Sequence, residues 1–305
     1  MMRSTKLKWN LRRTWPLHSM VLPGLIVLLV FQYGPMPGII MAFQDFKPYA
    51  GFTGSEWVGL DHFREIAAFS DTKQVIWNTF VIASLKIVFQ LATPFVFALM
   101  LNEVAKTAFK RTIQTLVYLP HFMSWVILGG ILLDILNPEG GLVTRVMVDG
   151  FGMKPIFFLG DGDWFRFVVI ASDVWKEFGF GTIVFLAALA GINGELYEAA
   201  VMDGANRWKQ LLHITIPLLL PMAIVVGTLS LGNILNAGFD QIFNLYNPLV
   251  YDKGDIIDTY VYRMALLNGQ FSFATAVGLF KSVISFILIV IAYRLAYKFA
   301  DYRIF

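Results

Sequence analysis

Residues 195–221, ELYEAAVMDGANRWKQLLHITIPLLLP, decide how the rest of the chain is read. They place a dense run of charge between two long apolar segments. Leu196, Ala199, Ala200 and Asp203 recur at i, i+3, i+4 and i+7, so they share one helix face. Asp203-Gly204 is a turn signal, and glycine takes the left-handed conformation that ends helices. Trp208, Leu211, Leu212 and Thr215 restart the same spacing. Pro217 and Pro221 follow as the next apolar segment begins. The expectation over 193–214 is two short helical pieces joined at a glycine, connecting two apolar spans.

Composition supports spans rather than a soluble core. Of 305 residues, 57% are hydrophobic and 15% charged, with mean hydropathy +0.64. A soluble domain carries about a quarter charged residues. Stretches long enough to cross about 30 Å of hydrocarbon fall near 18–43, 75–101, 113–136, 165–190, 215–236 and 273–297. The reading is an all-α membrane protein of six transmembrane helices, one domain over 1–305. The first apolar stretch reads as an uncleaved anchor, because no convincing small-residue cleavage site follows it. Gly34, Pro35 and Pro37 should kink or unwind that helix near its outer end.

Basic residues orient the bundle. The segments 1–16 and 102–112, the stretch around Arg207 and Lys209, and the C-terminal end hold thirteen Lys/Arg against five Asp/Glu. The opposite segments hold eight basic and thirteen acidic residues, short margins included. Both termini and the quoted stretch are therefore expected in the cytoplasm. The outer segments, rich in Gly, Pro, Trp and Tyr, read as ordered caps, with a short interfacial helix over 256–264.

Catalytic signals are absent from the sequence. No G-x-x-x-x-G-K-[ST] loop exists to cradle a nucleotide phosphate. There is no cysteine, and the four histidines show no metal-ligand spacing. The small positive net charge gives no reason to expect nucleic acid.

The quoted stretch resembles the cytoplasmic signature of binding-protein-dependent ABC importer permeases: Glu-Ala-Ala, two residues, Asp-Gly-Ala, eight residues, Ile, two residues, Pro. Those positions are Glu198, Ala199, Ala200, Asp203, Gly204, Ala205, Ile214 and Pro217. Outside it, SEWVGLDHF, LVYLPHFMSWV and NILNAGFDQIFNLYNPLVYD are similar to permeases of oligosaccharide and polysaccharide-fragment uptake. The resemblance implies the type I ABC importer permease fold in a bacterial cytoplasmic membrane. It implies that the first short helix is a coupling helix docking on a cytoplasmic ATPase dimer, which supplies the ATP and Mg chemistry. It also implies a second homologous permease, an extracytoplasmic solute-binding protein and a carbohydrate substrate. The chain itself is then a transport subunit without a cofactor, not an enzyme.

Polar residues inside the spans mark the candidate solute path. Lys86, Asp134, Asp173, Lys176, Glu177 and Lys281 balance three against three, and charges at this depth face a bundle interior or a water cavity. Asp173 and Glu177 are four apart on one face, and both are expected within reach of Lys281. Two readings stay open: ion pairs that fix helix packing, or groups lining the path. Trp125 and Trp175, near the middles of spans three and four, and Asn233 and Asn236, in the outer half of span five, suit a glycan cavity. Rings stack on sugar C–H faces, and amides pair with hydroxyls. Gly129, Gly130, Gly179, Gly181, Gly227 and Gly232 read as close helix packing. The competing function, an ion-coupled secondary transporter, draws on the same carboxylates but leaves the Glu198–Pro217 pattern unexplained.

Overall fold

The computed structural model describes residues 11–300, with side chains described for 15–294. Arg3, Lys6, Lys8, Asp301 and Arg303 lie outside the described residues, as do the side chains of Arg12, Arg13 and Lys298. The chain is mostly helical. Its main helices are α1 (Leu11–Leu28), α2 (Asp61–Ala68), α3 (Ser70–Asn102), α4 (Thr107–Tyr118), α5 (Trp125–Ile135), α6 (Gly162–Ala190), α7 (Glu195–Met202), α8 (Arg207–Gln210), α9 (Ile216–Leu231), α10 (Phe239–Leu245), α11 (Ile257–Tyr262) and α12 (Phe271–Ala300). Among the described residues, four continuous helical stretches are long and apolar enough to cross a membrane: Trp15–Phe43, Ser70–Asn102, Arg207–Leu231 and Phe271–Arg294. Two bent pairs, α4 with α5 and α6 with α7, raise the count to as many as six. This is a multi-pass membrane protein.

The first span changes winding where expected. Beyond α1 the chain runs through a π turn, Leu29–Tyr33, and a 3-10 stretch, Met36–Phe43. Pro35 and Pro37 lack the amides that would continue the α-helical ladder.

The third span is not the straight helix expected over 113–136. The chain turns by 101° between the helical run ending at Phe122 and α5. Pro120 has no amide to donate, Met123 is extended, and the Ser124 hydroxyl accepts from the Ile127 amide at 3.4 Å to start α5. A proline followed four residues on by a good N-cap is a stop and a restart. Trp125 therefore opens α5 instead of sitting halfway along a span.

The fifth span also differs. The piece beginning at Arg207 is not separate from it: α8 passes through a π turn, Leu211–Thr215, straight into α9. The π turn falls just before Pro217, the residue that disturbs the α-helical ladder. At the other end α9 stops at Leu231, so Asn233 and Asn236 lie in the following turn, not in a helix ending at 236.

At the centre α3 packs along α6, joined by a core that includes Ile82, Phe165, Val169 and Ile242. A second core, including Ala42, Val75, Ile257 and Phe273, seats the N-terminal end of α12. Near the other end Ala98, Phe185, Leu189 and Leu219 fasten α3, α6 and α9. Close packing occurs at several of the small residues. A Cβ on Gly179 would lie 2.2 Å from the Val117 carbonyl oxygen, and one on Gly181 3.0 Å from Pro94. Gly129 abuts Asn244 and Gly227 abuts Leu91. Gly232 lies against Leu229 and Ile289, but Gly130 has nothing within 4 Å.

The segments expected on the outer side are folded. Gln44–Asp45 pairs antiparallel with Glu56–Trp57. The short helix expected over 256–264 is α11, and it is buried through Ile257, Thr259 and Tyr260. Beside it the Arg263 guanidinium bonds Asp255 at 2.5 Å and lies 4.2 Å from the Tyr251 ring centroid. Burial works against that charge, but the Asp255 carboxylate outweighs it and holds Arg263 above its ordinary pKa.

Candidate coupling segment and solute path

The segment after α6 is a helix stop followed by a helix start. Gly204 has φ +77°. Its amide donates to the Val201 carbonyl at 3.0 Å, and the Ala205 amide donates to Ala200 at 2.8 Å. These two bonds form the Schellman ending of α7. Asn206 then caps α8, its side-chain oxygen accepting from the Lys209 amide at 2.9 Å. The run Asp203-Gly204-Ala205-Asn206 thus supplies C-cap, left-handed glycine, closing amide and N-cap in succession.

Three contacts fix this corner to the bundle. The Tyr197 hydroxyl lies 3.0 Å from Thr215 Oγ1, Arg207 bonds Glu103 at the end of α3 at 3.3 Å, and Gln210 donates to the Ala205 carbonyl at 3.0 Å. A cleft of about 630 Å³ opens between them. Glu198, Ala199, Asp203, Gly204 and Pro217 are exposed, while Ala200, Ala205 and Ile214 are half-buried. Nothing lies within 4 Å of a Cβ on Gly204. Met202, 87% exposed, and Trp208, 70% exposed, present apolar surface beside these small residues.

The interior charges pair differently from the sequence expectation. Neither Asp173 nor Glu177 pairs with Lys281. Lys86, 4% exposed, lies 3.5 Å from Asp173 and donates to the Ala237 carbonyl at 2.7 Å and to Gln241 at 2.5 Å. Gln241 in turn donates to Val169 and Ser172. This network holds the break between α9 and α10, where Gly238 has φ +94° and Lys86 Nζ lies 3.0 Å from its Cβ position. Glu177 pairs instead with its neighbour Lys176 at 2.8 Å and with His121 at 2.7 Å. Lys281 pairs with Asp258 of α11 at 2.5 Å. Asp134 is exposed on α5 and joins no ion pair among the described residues. The three-against-three balance fails because Asp258, counted among the outer residues, reaches inward on a buried helix.

The amides and tryptophans separate as well. Asn233 and Asn236 line a cavity of about 580 Å³ together with Phe239, Asp258, Tyr262 and Lys281. Neither tryptophan lines it. The Trp125 ring centroid is 5.8 Å from Lys176 Nζ, at the broken third span, and Trp175 is 46% exposed on α6. Phe239 and Tyr262 occupy the aromatic place expected of the tryptophans, their ring centroids 5.8 Å apart. The sequence reading missed His121, Gln241, Asp258 and Tyr262. Pro120 within an apolar run and Gly238 after a span were the signals for two of them.

Residues 90–301 match the family described as binding-protein-dependent transport system inner membrane component. Protein LplB of Bacillus subtilis (strain 168) is 44% identical over 97% of this chain and 92% of its own length. The polygalacturonan/rhamnogalacturonan transport system permease protein YteP of the same organism is 43% identical, over 95% and 90%. A chain of a bacterial ABC transporter involved in import of the acidic polysaccharide alginate superposes with TM-score 0.86 at 38% identity, covering 95% of this chain and 98% of that one.

Proposed function

The chain belongs to the binding-protein-dependent transport system inner membrane components, and on that premise we propose that it forms half of the solute path of an ATP-driven importer of oligosaccharides or polysaccharide fragments. As a member of that family it is a transport subunit and not an enzyme. Relatives named for polygalacturonan/rhamnogalacturonan and for alginate support the carbohydrate class.

The observation that carries the coupling role is the α7 corner. α7, Glu195–Met202, is a short helix that carries the small residues Ala199 and Ala200, is ended by the left-handed Gly204 and is tied, with the start of α8, to the end of α3 and the start of α9. A cytoplasmic ATPase dimer receives that helix, and ATP and Mg bind there. The remaining partners are a second homologous permease, an extracytoplasmic solute-binding protein and the surrounding lipid. In this reading the chain crosses the membrane six times, both termini lie in the cytoplasm of a bacterial cell, and residues 1–305 form one permease domain. ATP binding and hydrolysis move α7, and the bundle alternates between outward and inward openings. Asn233 and Asn236 face the sugar along the path. Trp125 and Trp175 flank it elsewhere.

Reconstitution separates this from ion-coupled transport. Vesicles holding this chain, the second permease, the ATPase and the binding protein should accumulate oligosaccharide only with ATP inside the ATPase compartment. Accumulation by this chain alone, driven by an ion gradient, would overturn the assignment.

A further inference from the structure

The three interior lysines are not equivalent. Lys86 gives hydrogen bonds to Ala237 and Gln241 and lies beside Asp173. Lys176 gives its bonds to the His121 carbonyl and Glu177. Both are almost fully enclosed, with side chains 5% and 9% exposed. Lys281 differs. Among the described residues its ammonium has one partner, Asp258 Oδ1, and an ammonium has three donors. Its side chain is 21% exposed and that of Asp258 is 26% exposed. Both line the same cavity.

Position sharpens the contrast. Lys281 lies ten residues into α12, which starts at Phe271, or about 15 Å at 1.5 Å per residue. That is about the midplane of the hydrocarbon. The other polar groups around the cavity are also free to bind. The carboxamides of Asn233 and Asn236 make no hydrogen bond within the described residues, and neither do the Tyr262 and Ser285 hydroxyls. Asn233 and Asn236 are exposed in this subunit, so their amides are open to water or a ligand. An aromatic wall, two amides, two hydroxyls and an ammonium with two spare donors fit a sugar that carries a carboxylate.

We propose that Lys281 is the residue by which this path favours uronate-containing oligosaccharides over neutral ones. This rests on the carbohydrate-path reading above. Asp258 neutralises the ammonium, so no bare charge stands at membrane depth. An arriving uronate takes the two spare donors through a charge-assisted contact. It then competes with Asp258, which sits on a short helix of the outer segment.

The chain has no cysteine, so Ser285→Cys places one reporter thiol on this subunit, at the cavity wall. The assembled transporter, free of ATP, is treated with maleimide, and labelling of this chain is followed. The probes are a galacturonate trisaccharide and the same trisaccharide with its carboxyls reduced to alcohols. The acid should slow labelling at about tenfold lower concentration than the neutral sugar. Lys281→Gln should erase that preference and leave protection by the neutral sugar in place, and Lys281→Arg should keep it. Asp258→Asn should lower the half-protecting concentration of the acid, since it removes the competitor. An acid preference that survives Lys281→Gln overturns the proposal, as does an equal loss for both sugars, which is the mark of a packing role. If neither sugar slows labelling in the parent, the carbohydrate-path reading of this cavity falls with it.

Discussion

The ammonium nitrogen of Lys176 lies 2.8 Å from the backbone carbonyl oxygen of His121. That carbonyl belongs to the last turn before the 101° break in the third span. Such a carbonyl has no helical amide to receive, and inside a membrane an unpaired one is costly. The lysine on α6 supplies the missing donor, and Glu177 neutralises it. His121 closes the group through its ring, stacked at 4.1 Å on Phe180 and 2.7 Å from Glu177.

Removing the lysine should therefore cost more than removing the pair. Lys176→Met leaves a bare carbonyl and strips Glu177 of its lysine, with only the His121 ring still beside it, and should destabilise the chain by about 2 kcal/mol. Lys176→Met with Glu177→Leu should recover part of that loss. Thermal unfolding of the purified complex checks the order. Equal melting temperatures for single and double replacements would show that the group does not hold the break.

Helix packing gives a contrasting pair. At Gly179 a methyl group would overlap the Val117 carbonyl of α4. Gly179→Ala must push α4 away from α6 and should cost about 3 kcal/mol, an overpacking loss. Gly130→Ala meets nothing within 4 Å and should leave folding yield unchanged or raised, since alanine is the better helix former. The yield of monodisperse protein after detergent extraction distinguishes the two.

Orientation is tested with single cysteines. Thr53, in a segment expected outside, and Asn206, in the candidate coupling segment, are both exposed. A cysteine at Thr53 should react with a membrane-impermeant maleimide in intact cells. One at Asn206 should react only after permeabilisation. The reverse pattern would invert the topology.

Much of the fold was legible because it rests on local rules. Apolar length marked the spans, and the Asp203-Gly204 turn and the Gly34–Pro37 kink are backbone chemistry that a sequence states directly. The two misplaced boundaries have one cause. Pro120 and the 232–238 break look like minor irregularities in apolar runs, and each is stabilised by a lysine from a distant helix, Lys176 or Lys86. Pairing inside the bundle was illegible for the same reason. Equal depth made Asp173, Glu177 and Lys281 look like partners, but depth does not say which way a helix is rotated. Asp258 was hidden in an outer segment, and it took the tertiary packing of α11 to bring it to Lys281.

The coupling stretch gives the final prediction. Gly204 sits at φ +77°, where a β-branched side chain is strained, and it completes the Schellman bonds that end α7. Gly204→Val should cost about 1–2 kcal/mol locally and re-aim the chain between α7 and α8. Within this subunit a Cβ there meets open space, so any steric effect comes from the partner. Ala200 is half-buried on α7, and Ala200→Trp adds bulk where a docking cleft needs a small residue. Both variants should insert in the membrane but lose ATPase co-purification or the coupling of hydrolysis to uptake. Glu198→Gln keeps the shape of an exposed first-turn acid and removes only its favourable charge at the positive helix end, worth about 0.5 kcal/mol, so its effect should be smaller. The measurements are ATPase retained on the purified permease and substrate-stimulated hydrolysis in vesicles. Normal retention, hydrolysis and uptake for both Gly204→Val and Ala200→Trp would remove the coupling role from α7, because neither the backbone turn nor the small surface would then matter to the partner.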